Sequence, residues 1–472
     1  MTQSNDPDAA ARDALRLIGP APRNWVPDTP GVDHNVMIVG GGQTGCALAF
    51  ALQRAGIGKV PVIDAAADEA TAGIWLTTAR MNLLRTPKAL TGPENGITAL
   101  GFRAWYESRH GQEAYTDIDR IPRLVWAEYL AWFRQFLDIQ VRYRTRLLRI
   151  EPTADCFRLH LDLDGVSRIE TARKVLLCTG FTGNGGADVP DVLRASVPPH
   201  LRAHTEDAID FQRLRGKTVA VIGAAASAFD AAGVALEAGA AAVHLFARRP
   251  AIAAIPITRS RGYPGAYDNY HALPDDIRWH QAIRFRRAGS TPTTDSIERT
   301  VRFENFHLHL ASPWESAREE GGRVIGVING QERRFDFVIA GTGYFVDPAA
   351  RPELADFAGE ILLWRDRFVP PADEVDEGLG SHPYLGEGHE YLENVPGNAP
   401  FLKDIHVQTP AGYVSFGLPT GDVPSMRRDI PVIAARVSRD LFLADLDVHR
   451  RRMMADVAPD FDASLYAASV RT

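Results

Sequence analysis

The chain of 472 residues has few cysteines and no paired cysteine motif. Its three cysteines, Cys46, Cys156 and Cys178, lie far apart, and CxxC does not occur. This excludes a disulfide framework, the flavoenzymes that use a CxxC dithiol and the common cysteine-based zinc sites. HExxH is absent from the chain as well, and the spacing of His307 and His309 is typical of one face of a strand. We therefore predict no metal site.

The chain also has no basic excess and no uninterrupted apolar run, and its start does not show the pattern expected of a signal peptide. Lysine and arginine total 52 against 59 acidic residues, a net charge of −7, which argues against a general nucleic-acid binder. The apolar stretch 219–247 contains Asp230 and Glu237, so strand, turn, helix and strand explain it better than a membrane span. The start is polar and acidic. We expect a cytoplasmic protein without membrane or nucleic-acid partners, with a flexible N-terminal extension over residues 1–33.

Residues 36–64 have the pattern of a strand, a glycine turn, a helix and a second strand. VMIVG leads into GGGQTG, whose Gly40, Gly42 and Gly45 occupy the three positions of GxGxxG. These glycines permit a tight turn, approach of the backbone to a pyrophosphate, and close helix–strand packing. The pyrophosphate would lie at the helix N-terminus, and Asp64 ends the second strand where an acid binds ribose hydroxyls. The pattern predicts a dinucleotide-binding turn.

Residues 218–247 repeat this plan with a degraded turn. TVAVI is followed by GAAASA, which keeps Gly223 but places Ala225 and Ala228 at the other two glycine positions. A methyl group at the second position would lie where a phosphate should approach. Two such units in one chain predict two Rossmann-like domains in an α/β fold.

The second strand of this repeat ends in Arg248 and Arg249 rather than in an acid. Arginine at this position suits the 2′-phosphate of NADPH, and NADH would lack its usual ribose carboxylate. Alternatively, both arginines only cap the strand on a solvated face.

The order of these units predicts that the second dinucleotide-binding domain is inserted in the first. The expected divisions are an extension over 1–33, the first part of the FAD-binding domain over 34–205 with a helical insertion at about 91–137, an NADPH-binding domain over 206–334 with a pocket loop at 250–312, and the second part of the FAD-binding domain with C-terminal helices over 335–472.

The motifs together resemble the single-component flavin monooxygenases, which include flavin-containing monooxygenases, amine N-hydroxylases and Baeyer–Villiger enzymes. The segment LLRTPKALTGPENGITALGFRAWYE is also similar to bacterial FAD-dependent urate hydroxylases. The motifs that carry the resemblance are GGGQTG at 40–45, GIW at 73–75, LRTPK at 84–88, CTGFTG at 178–183, GAAASAFDAA at 223–232, ARRP at 247–250 and GTGY at 341–344.

This resemblance implies FAD at the first turn and NADPH at the second. NADPH would reduce the flavin, O2 would add at its C4a atom, and the resulting peroxide would transfer one oxygen atom to a small organic substrate. Trp75 would lie near the isoalloxazine or be a core aromatic, and Arg85 would bind a phosphate or carboxylate or be a surface cation. The expected cofactor-binding residues are Gly40, Gly42, Gln43, Thr44, Gly45, Asp64, Trp75, Arg85, Gly180, Gly223, Ser227, Arg248, Arg249 and Gly343.

Two departures from the family leave alternatives open. In the Baeyer–Villiger signature region, His204 matches but Phe211 does not precede a proline, and Ala225 weakens the second turn. A flavin reductase or dehydrogenase without oxygen transfer, or a non-enzymatic FAD-containing binding module, therefore remains an alternative. The sequence identifies no catalytic residue and no oligomeric state.

A Tyr- and Arg-rich stretch at 259–276 is the candidate substrate loop, through Tyr267, Asn269, Tyr270 and His271. Aromatic faces with a few polar groups suit a planar substrate; alternatively, the tyrosines pack on the domain. Arg259, Arg261 and Arg85 favour a planar, anion-capable heteroaromatic over an aliphatic amine such as lysine or ornithine, and the resemblance to urate hydroxylases implies a urate-like molecule. The aromatic stripe at 126–133 has helical spacing and is expected in the core.

Overall fold

The structure, a computed structural model, describes residues 6–89 and 92–471. The start of the predicted insertion at residue 91 lies outside the described residues. The strands are β1 (His34–Val39), β2 (Val62–Ile63), β3 (Leu83–Pro87), β4 (Arg120–Pro122), β5 (Val141–Arg142), β6 (Thr145–Pro152), β7 (Phe157–Leu163), β8 (Val166–Leu177), β9 (Gly185–Ala187), β10 (Arg202–His204), β11 (Thr218–Ile222), β12 (Ala242–Phe246), β13 (Phe306–His309), β14 (Trp314–Glu320), β15 (Arg323–Ile328), β16 (Gln331–Phe335), β17 (Phe337–Ala340), β18 (Tyr344–Val346) and β19 (Ile405–Val407).

The α-helices connect and cover these strands. They are α1 (Pro7–Leu17), α2 (Gln43–Arg54), α3 (Phe102–His110), α4 (Gln112–Asp117), α5 (Arg123–Phe136), α6 (Asp191–Arg194), α7 (Ala226–Glu237), α8 (Pro264–Asn269), α9 (Asp275–Ala288), α10 (Thr294–Val301), α11 (Trp364–Arg367), α12 (Glu377–Gly380), α13 (Tyr413–Phe416), α14 (Val423–Ala444), α15 (Leu446–Met453) and α16 (Ser464–Ala467).

The first sheet has the strand order β5-β2-β1-β8-β7-β6, with β19 also paired to β8. β1 runs parallel to β2 and β8, whereas β6, β7 and β8 are antiparallel neighbours. Val36 and Ile38 face the core that contains α2 and α14, and Met37 and Val39 face a second core on the other side. Burial on both faces explains why this strand is continuously apolar.

The second sheet has the order β10-β17-β11-β12-β13, and all its pairs are parallel. The apolar stretch 219–247 forms β11, α7 and β12 within it. Val219 and Val221 pack against α7, and Ala220 faces the core shared with the antiparallel meander β14-β15-β16. In the part of the chain that is described, no helix is both long and apolar enough to span a bilayer.

The second unit is inserted in the first, as predicted, because strands of the first sheet precede and follow it. The boundaries differ from those expected after residues 205 and 334. β10 and β17 both belong to the second sheet, where Val219 to Ile222 pair with Phe337 to Ala340. Backbone pairing, which composition does not report, moves these two strands into the second unit.

The predicted flexibility of residues 1–33 does not hold for the part that is described. Helix α1 packs on the first unit, where the indole Nε1 of Trp132 donates to Asp8 at 2.8 Å. Downstream, Trp25 Nε1 donates to the carbonyl of Ala55 at 2.8 Å. Long-range hydrogen bonds and aromatic burial hold this segment against α2 and α5, although its own composition is polar.

The expected pocket loop at 250–312 is largely helical, containing α8, α9 and α10. The stripe on α5 is core as predicted, since Trp126, Tyr129 and Phe133 are buried.

His307 and His309 lie on the edge strand β13 and both stack on His244. Across the described residues, no group of three or more His, Cys, Asp or Glu side chains is arranged to hold a metal ion.

Candidate functional site

The first glycine turn forms a cradle with an open centre. Gly40 has φ +109°, and a Cβ there would lie 2.3 Å from the Cys178 carbonyl oxygen. A Cβ at Gly45 would lie 1.9 Å from the Gly40 oxygen, so α2 packs directly on the turn. A Cβ at Gly42 would meet nothing within 4 Å. The two outer glycines are required by the fold, and the middle one faces free space, which is the arrangement that a pyrophosphate needs.

Asp64 directly follows β2 and lies against this turn. Its Oδ2 accepts a hydrogen bond from the Gly41 amide at 2.7 Å, and its Oδ1 accepts one from the Ala66 amide at 2.7 Å. The carboxylate is therefore fixed at the end of β2, beside the N-terminus of α2. No side chain caps that N-terminus, which leaves its positive end for an anion.

Gln43 connects the turn to two tryptophans and to the C-terminal region. Its Oε1 accepts from Trp75 Nε1 at 3.2 Å and from Trp126 Nε1 at 3.3 Å. Its Nε2 donates to the Gly421 carbonyl at 3.2 Å, and the Thr44 hydroxyl donates to the same oxygen at 3.4 Å. The predicted residues Gln43, Thr44 and Trp75 thus form one connected network.

The Gly421 contact reveals a part of the site that sequence reasoning missed. Asp422 caps the 22-residue helix α14 by accepting from the Ser425 amide at 2.9 Å. Burial raises the pKa of Asp422 to about 7. The N-terminal ends of α2 and α14 therefore meet at Gly421. An Asp followed closely by Pro424 is a helix-start pattern that would have located this segment.

The second turn compensates for one of its two missing glycines. A Cβ at Gly223, where φ is +122°, would lie 2.1 Å from the Gly341 carbonyl oxygen, so this glycine is required. Ala228 packs on Gly341, where an added Cβ would lie 2.7 Å from the alanine methyl. The close approach usually provided by a third glycine is thus provided by Gly341 on β17's exit. Ser227 is exposed in the first turn of α7, which has no side-chain cap.

Arg248 and Arg249 have different environments. Arg249 donates to the carbonyls of Arg286, Arg287 and Ala288 at 2.8–2.9 Å and so caps the C-terminus of α9. Arg248 is exposed, and its guanidinium makes no hydrogen bond or ion pair with any described residue. Of the two predicted phosphate-binding arginines, only Arg248 is available for a ligand.

Arg85 extends from the first unit toward the second. Its Nη2 lies 3.8 Å from Oδ2 of Asp230 on α7. Asp230 is buried and accepts from the Ser296 hydroxyl at 2.6 Å, and burial raises its pKa. The position of Arg85 between the units agrees with a role at their interface, rather than with an isolated surface cation.

The chain passes from the first unit to the second after Gly180 and returns after Gly343, and these two connecting segments contact each other. Gly180 and Gly343 both have positive φ, +73° and +86°. β9 and β18, which follow them, form a two-stranded antiparallel sheet. Next to it, His204 is buried with its ring 5.5 Å from that of Tyr344, and burial lowers its pKa.

The candidate substrate residues have different surroundings. Tyr267 lies under Arg428 of α14, whose guanidinium is 5.0 Å from its ring centroid. Tyr270 is buried, and its hydroxyl donates to the Arg278 carbonyl at 3.3 Å. The side-chain amide of Asn269 donates to the carbonyl of Gly265, within its own helix.

His271, the fourth candidate, packs against other segments of the chain. It stacks on Phe416 with ring centroids 5.2 Å apart, and its Nε2 contacts the Leu385 carbonyl at 3.0 Å. The segment therefore packs on α13 and α14, and only Tyr267 adjoins the helix end that reaches the first turn.

Known proteins share this architecture and sequence. The profile of the pyridine nucleotide-disulphide oxidoreductase family matches residues 37–260. The FAD-dependent urate hydroxylase of Xanthomonas campestris is 37% identical over 414 residues, which cover 87% of each chain. The chain belongs to the FAD-dependent monooxygenase family. This confirms the resemblance inferred from the motifs, and it makes the protein an enzyme, a flavin-dependent oxidoreductase.

Solved structures place the monooxygenase in the same fold. Ornithine hydroxylase from Pseudomonas aeruginosa aligns with a TM-score of 0.67 at 18% identity, over 87% of this chain and all of that one. Ornithine N-hydroxylase from Kutzneria aligns with a TM-score of 0.68 at 16% identity, over 86% and 99% of the two chains. At these identities the likeness concerns the fold alone, which is the predicted pair of dinucleotide-binding domains.

Proposed function

We propose that this monooxygenase uses FAD, NADPH and O2 to hydroxylate a planar heteroaromatic anion, and that its substrate is urate. The observation that carries the proposal is the 37% identity to a urate hydroxylase over 87% of both chains. In the balanced reaction, NADPH and urate each give two electrons to O2. One oxygen atom forms a new C–O bond at a ring carbon of urate, which has no C–H bond, and the other leaves as water with the NADPH hydride and a solvent proton.

The first turn fits FAD on grounds of its own geometry. The open side of Gly42 and the uncapped N-terminus of α2 suit the pyrophosphate, and Asp64 suits the ribose. Bound FAD would supply the two-electron redox chemistry and the activation of O2. Gln43 and Trp75 would then hold the turn against α14, and the meeting of two helix N-termini there favours negative charge.

The second turn fits NADPH. Gly223 and the uncapped N-terminus of α7 provide the phosphate-facing end, and Arg248 provides an exposed cation after β12. Ala225, in extended conformation at the helix cap, is the one methyl group that the nucleotide must accommodate.

We expect Arg248→Ala to raise the KM for NADPH about ten- to hundredfold, because a charge-assisted hydrogen bond to the 2′-phosphate contributes about 1.5–3 kcal/mol. The KM for NADH should stay nearly unchanged. Arg249→Ala is the matched control: it should lower the melting temperature through loss of the α9 cap and leave the NADPH-to-NADH preference intact. Equal losses with both nucleotides in Arg248→Ala would contradict this assignment.

Substrate contact is best supported at Tyr267 and Arg428. Both are half-buried next to the N-terminal end of α14, and the Tyr267 hydroxyl and one Arg428 amino group have no hydrogen-bond partner among the described residues. Arg428 is ion-paired through its Nε with Asp429 at 2.5 Å, so the stacked guanidinium and ring present a free amino group as a hydrogen-bond donor beside a flat surface. This pair suits a planar anion better than the ammonium group of a diamino acid.

The decisive experiment supplies NADPH and ¹⁸O2 with urate, ornithine or lysine. We expect urate to be consumed in step with NADPH, one ¹⁸O atom to appear in its product, and hydrogen peroxide to stay near the substrate-free level. Tyr267→Phe should raise the KM for urate, whereas Tyr263→Phe, at a residue 60% exposed, should not.

Two results would overturn the proposal. NADPH oxidation that yields only hydrogen peroxide with urate would indicate a reductase without oxygen transfer. Tight coupling with a diamino acid and none with urate would keep the monooxygenase and replace its substrate.

A further inference from the structure

A cleft of about 590 Å³ opens between the two units, and none of its lining residues belongs to either glycine turn. Leu76, Arg80 and Arg123 of the first unit form one wall, and Phe211, Val234 and Arg299 of the second form the other. Val234 lies eight residues beyond the start of α7, about 12 Å along the helix axis. The cleft is therefore separate from the nucleotide-facing end of that helix. We propose that it is a second binding site, for a planar organic oxyanion.

The first argument is the charge of the cleft. Arg123 is half-buried, and in the described part of the chain its guanidinium donates to the carbonyls of Met81, at 3.0 Å, and Trp75. No carboxylate lies within ion-pair distance of it among the described residues. Burial, and secondarily the nearby Arg299, lower the pKa of Arg123. A partly buried cation beside a second cation, without a counter-ion, favours an anionic ligand.

The other two arginines strengthen the positive charge. Arg80 donates to the carbonyls of Thr78, Thr205 and Asp207 and stacks 5.2 Å from the Phe211 ring centroid. No carboxylate of the described residues lies within ion-pair distance of it, but Glu206, Asp207 and Asp230 are near enough to oppose the lowering of its pKa by burial. Arg299 is the paired member, held by Glu237 at 2.5–2.9 Å.

One acid also lines the cleft. Asp210 caps a short helical turn by accepting from the Gln212 amide at 3.1 Å. The lining therefore carries three cations and one carboxylate, and Glu237 neutralises one of the cations.

The N-terminus of helix α5 also lies at the cleft, because Arg123 is the first residue of that helix. The 14-residue helix has no side-chain cap and no acidic residue in its first turn. Its N-terminal end thus lies on the side where Arg123 lines the cleft, with the Arg123 amide itself donating to the Asn82 carbonyl at 2.9 Å.

The shape and lining of the cleft indicate which anions would fit it. Guanidinium groups bind coplanar oxygen atoms through paired N–H donors, and Leu76, Ile209 and Phe211 provide apolar surface beside them. The volume suits a small organic molecule. Urate and aromatic carboxylates share this chemistry. Because Arg123 holds the Trp75 carbonyl, the cleft adjoins the Gln43–Trp75 network of the first turn, and a ligand there would contact both units.

The test measures binding of benzoate and urate to the full-length protein by calorimetry, without NADPH. Val234→Asp places a carboxylate in the cleft, and Val234→Asn is its neutral isostere. We expect Val234→Asn to bind benzoate like the natural chain and Val234→Asp to bind it roughly tenfold more weakly or worse. Benzamide, the neutral analogue of benzoate, should bind to neither. Comparing the urate and benzoate titrations distinguishes the proposed substrate from other planar anions as occupant.

A second variant tests whether any loss of binding comes from the charge of the cleft and not from a local distortion at residue 234. Arg123→Gln should weaken benzoate binding similarly, whereas Arg284→Gln, which removes an exposed charge on α9, should not. Equal binding by Val234→Asp and Val234→Asn, or equal binding of benzoate and benzamide, would overturn the proposal. Because no turnover is measured, failure of urate hydroxylation would leave these outcomes unaffected.

Discussion

The Gly42→Leu protein should fold normally and purify without its flavin. A Cβ at Gly42 meets no atom within 4 Å, and the backbone there has an ordinary negative φ of −72°. The protein therefore tolerates a side chain, but leucine would fill the space in which the pyrophosphate approaches the turn. We expect flavin affinity to fall at least tenfold, or about 1.4 kcal/mol and more. Visible flavin absorbance per chain and the melting temperature of the flavin-free protein measure the two effects separately.

Two further glycines provide the controls. Gly359→Leu should keep its flavin and its stability, since an added Cβ there also meets nothing within 4 Å and lies on the surface. Gly45→Leu should fail to fold, because its Cβ would lie 1.9 Å from the Gly40 oxygen. A Gly42→Leu protein with full flavin occupancy would show that the turn does not carry the cofactor.

The first unit could be predicted well because its signals are local. Gly40, Gly42, Gly45 and Asp64 lie within one strand–turn–helix–strand unit, where hydrogen bonding over short sequence distances fixes the geometry. The insertion of the second unit also followed, since the order of two repeated turns along the chain determines it. The positions of these residues were therefore readable from spacing.

The residues that sequence reasoning placed wrongly or missed depend on contacts between distant segments. Arg248 and Arg249 are adjacent in sequence, so the local pattern does not distinguish them. Arg249 differs because it caps a helix that ends 39 residues later along the chain. The packing of Ala228 on Gly341 and the contact of Gln43 with Gly421 each join segments more than 100 residues apart. Residue types predict such contacts only after the topology is known.

The buried charged residues of α14 also depend on contacts between segments that are distant in sequence. Asp429 is fully buried, and its carboxylate contacts Arg428 Nε at 2.5 Å, Gln408 Nε2 at 2.7 Å and His389 Nε2 at 3.4 Å. Burial alone would raise the pKa of Asp429, but His389 and Arg428 outweigh it and hold the pKa below its usual value. The carboxylate thus organises the end of α14 that meets the first turn, and positions Arg428 beside Tyr267.

We expect Asp429→Asn to lower the free energy of unfolding by about 3–5 kcal/mol, because it leaves Arg428 buried without its counter-ion. Since the folded pKa is lowered, this contribution is present above the ordinary aspartate pKa of about 4 and is lost as pH falls through the folded value. The difference between the two proteins in urea unfolding should therefore shrink on acidification. Asp447→Asn, at an exposed position, should change stability by less than about 0.5 kcal/mol.

The double variant Asp429→Leu with Arg428→Met separates the charge from the packing. Replacing a buried ion pair by apolar side chains is often neutral or stabilising, so we expect this protein to recover most of the stability lost in Asp429→Asn. It should nevertheless bind urate more weakly, because the guanidinium above Tyr267 is gone. A loss below about 1 kcal/mol in Asp429→Asn would mean that water or Gln408 already compensates Arg428, and that α14 is positioned by its apolar contacts alone.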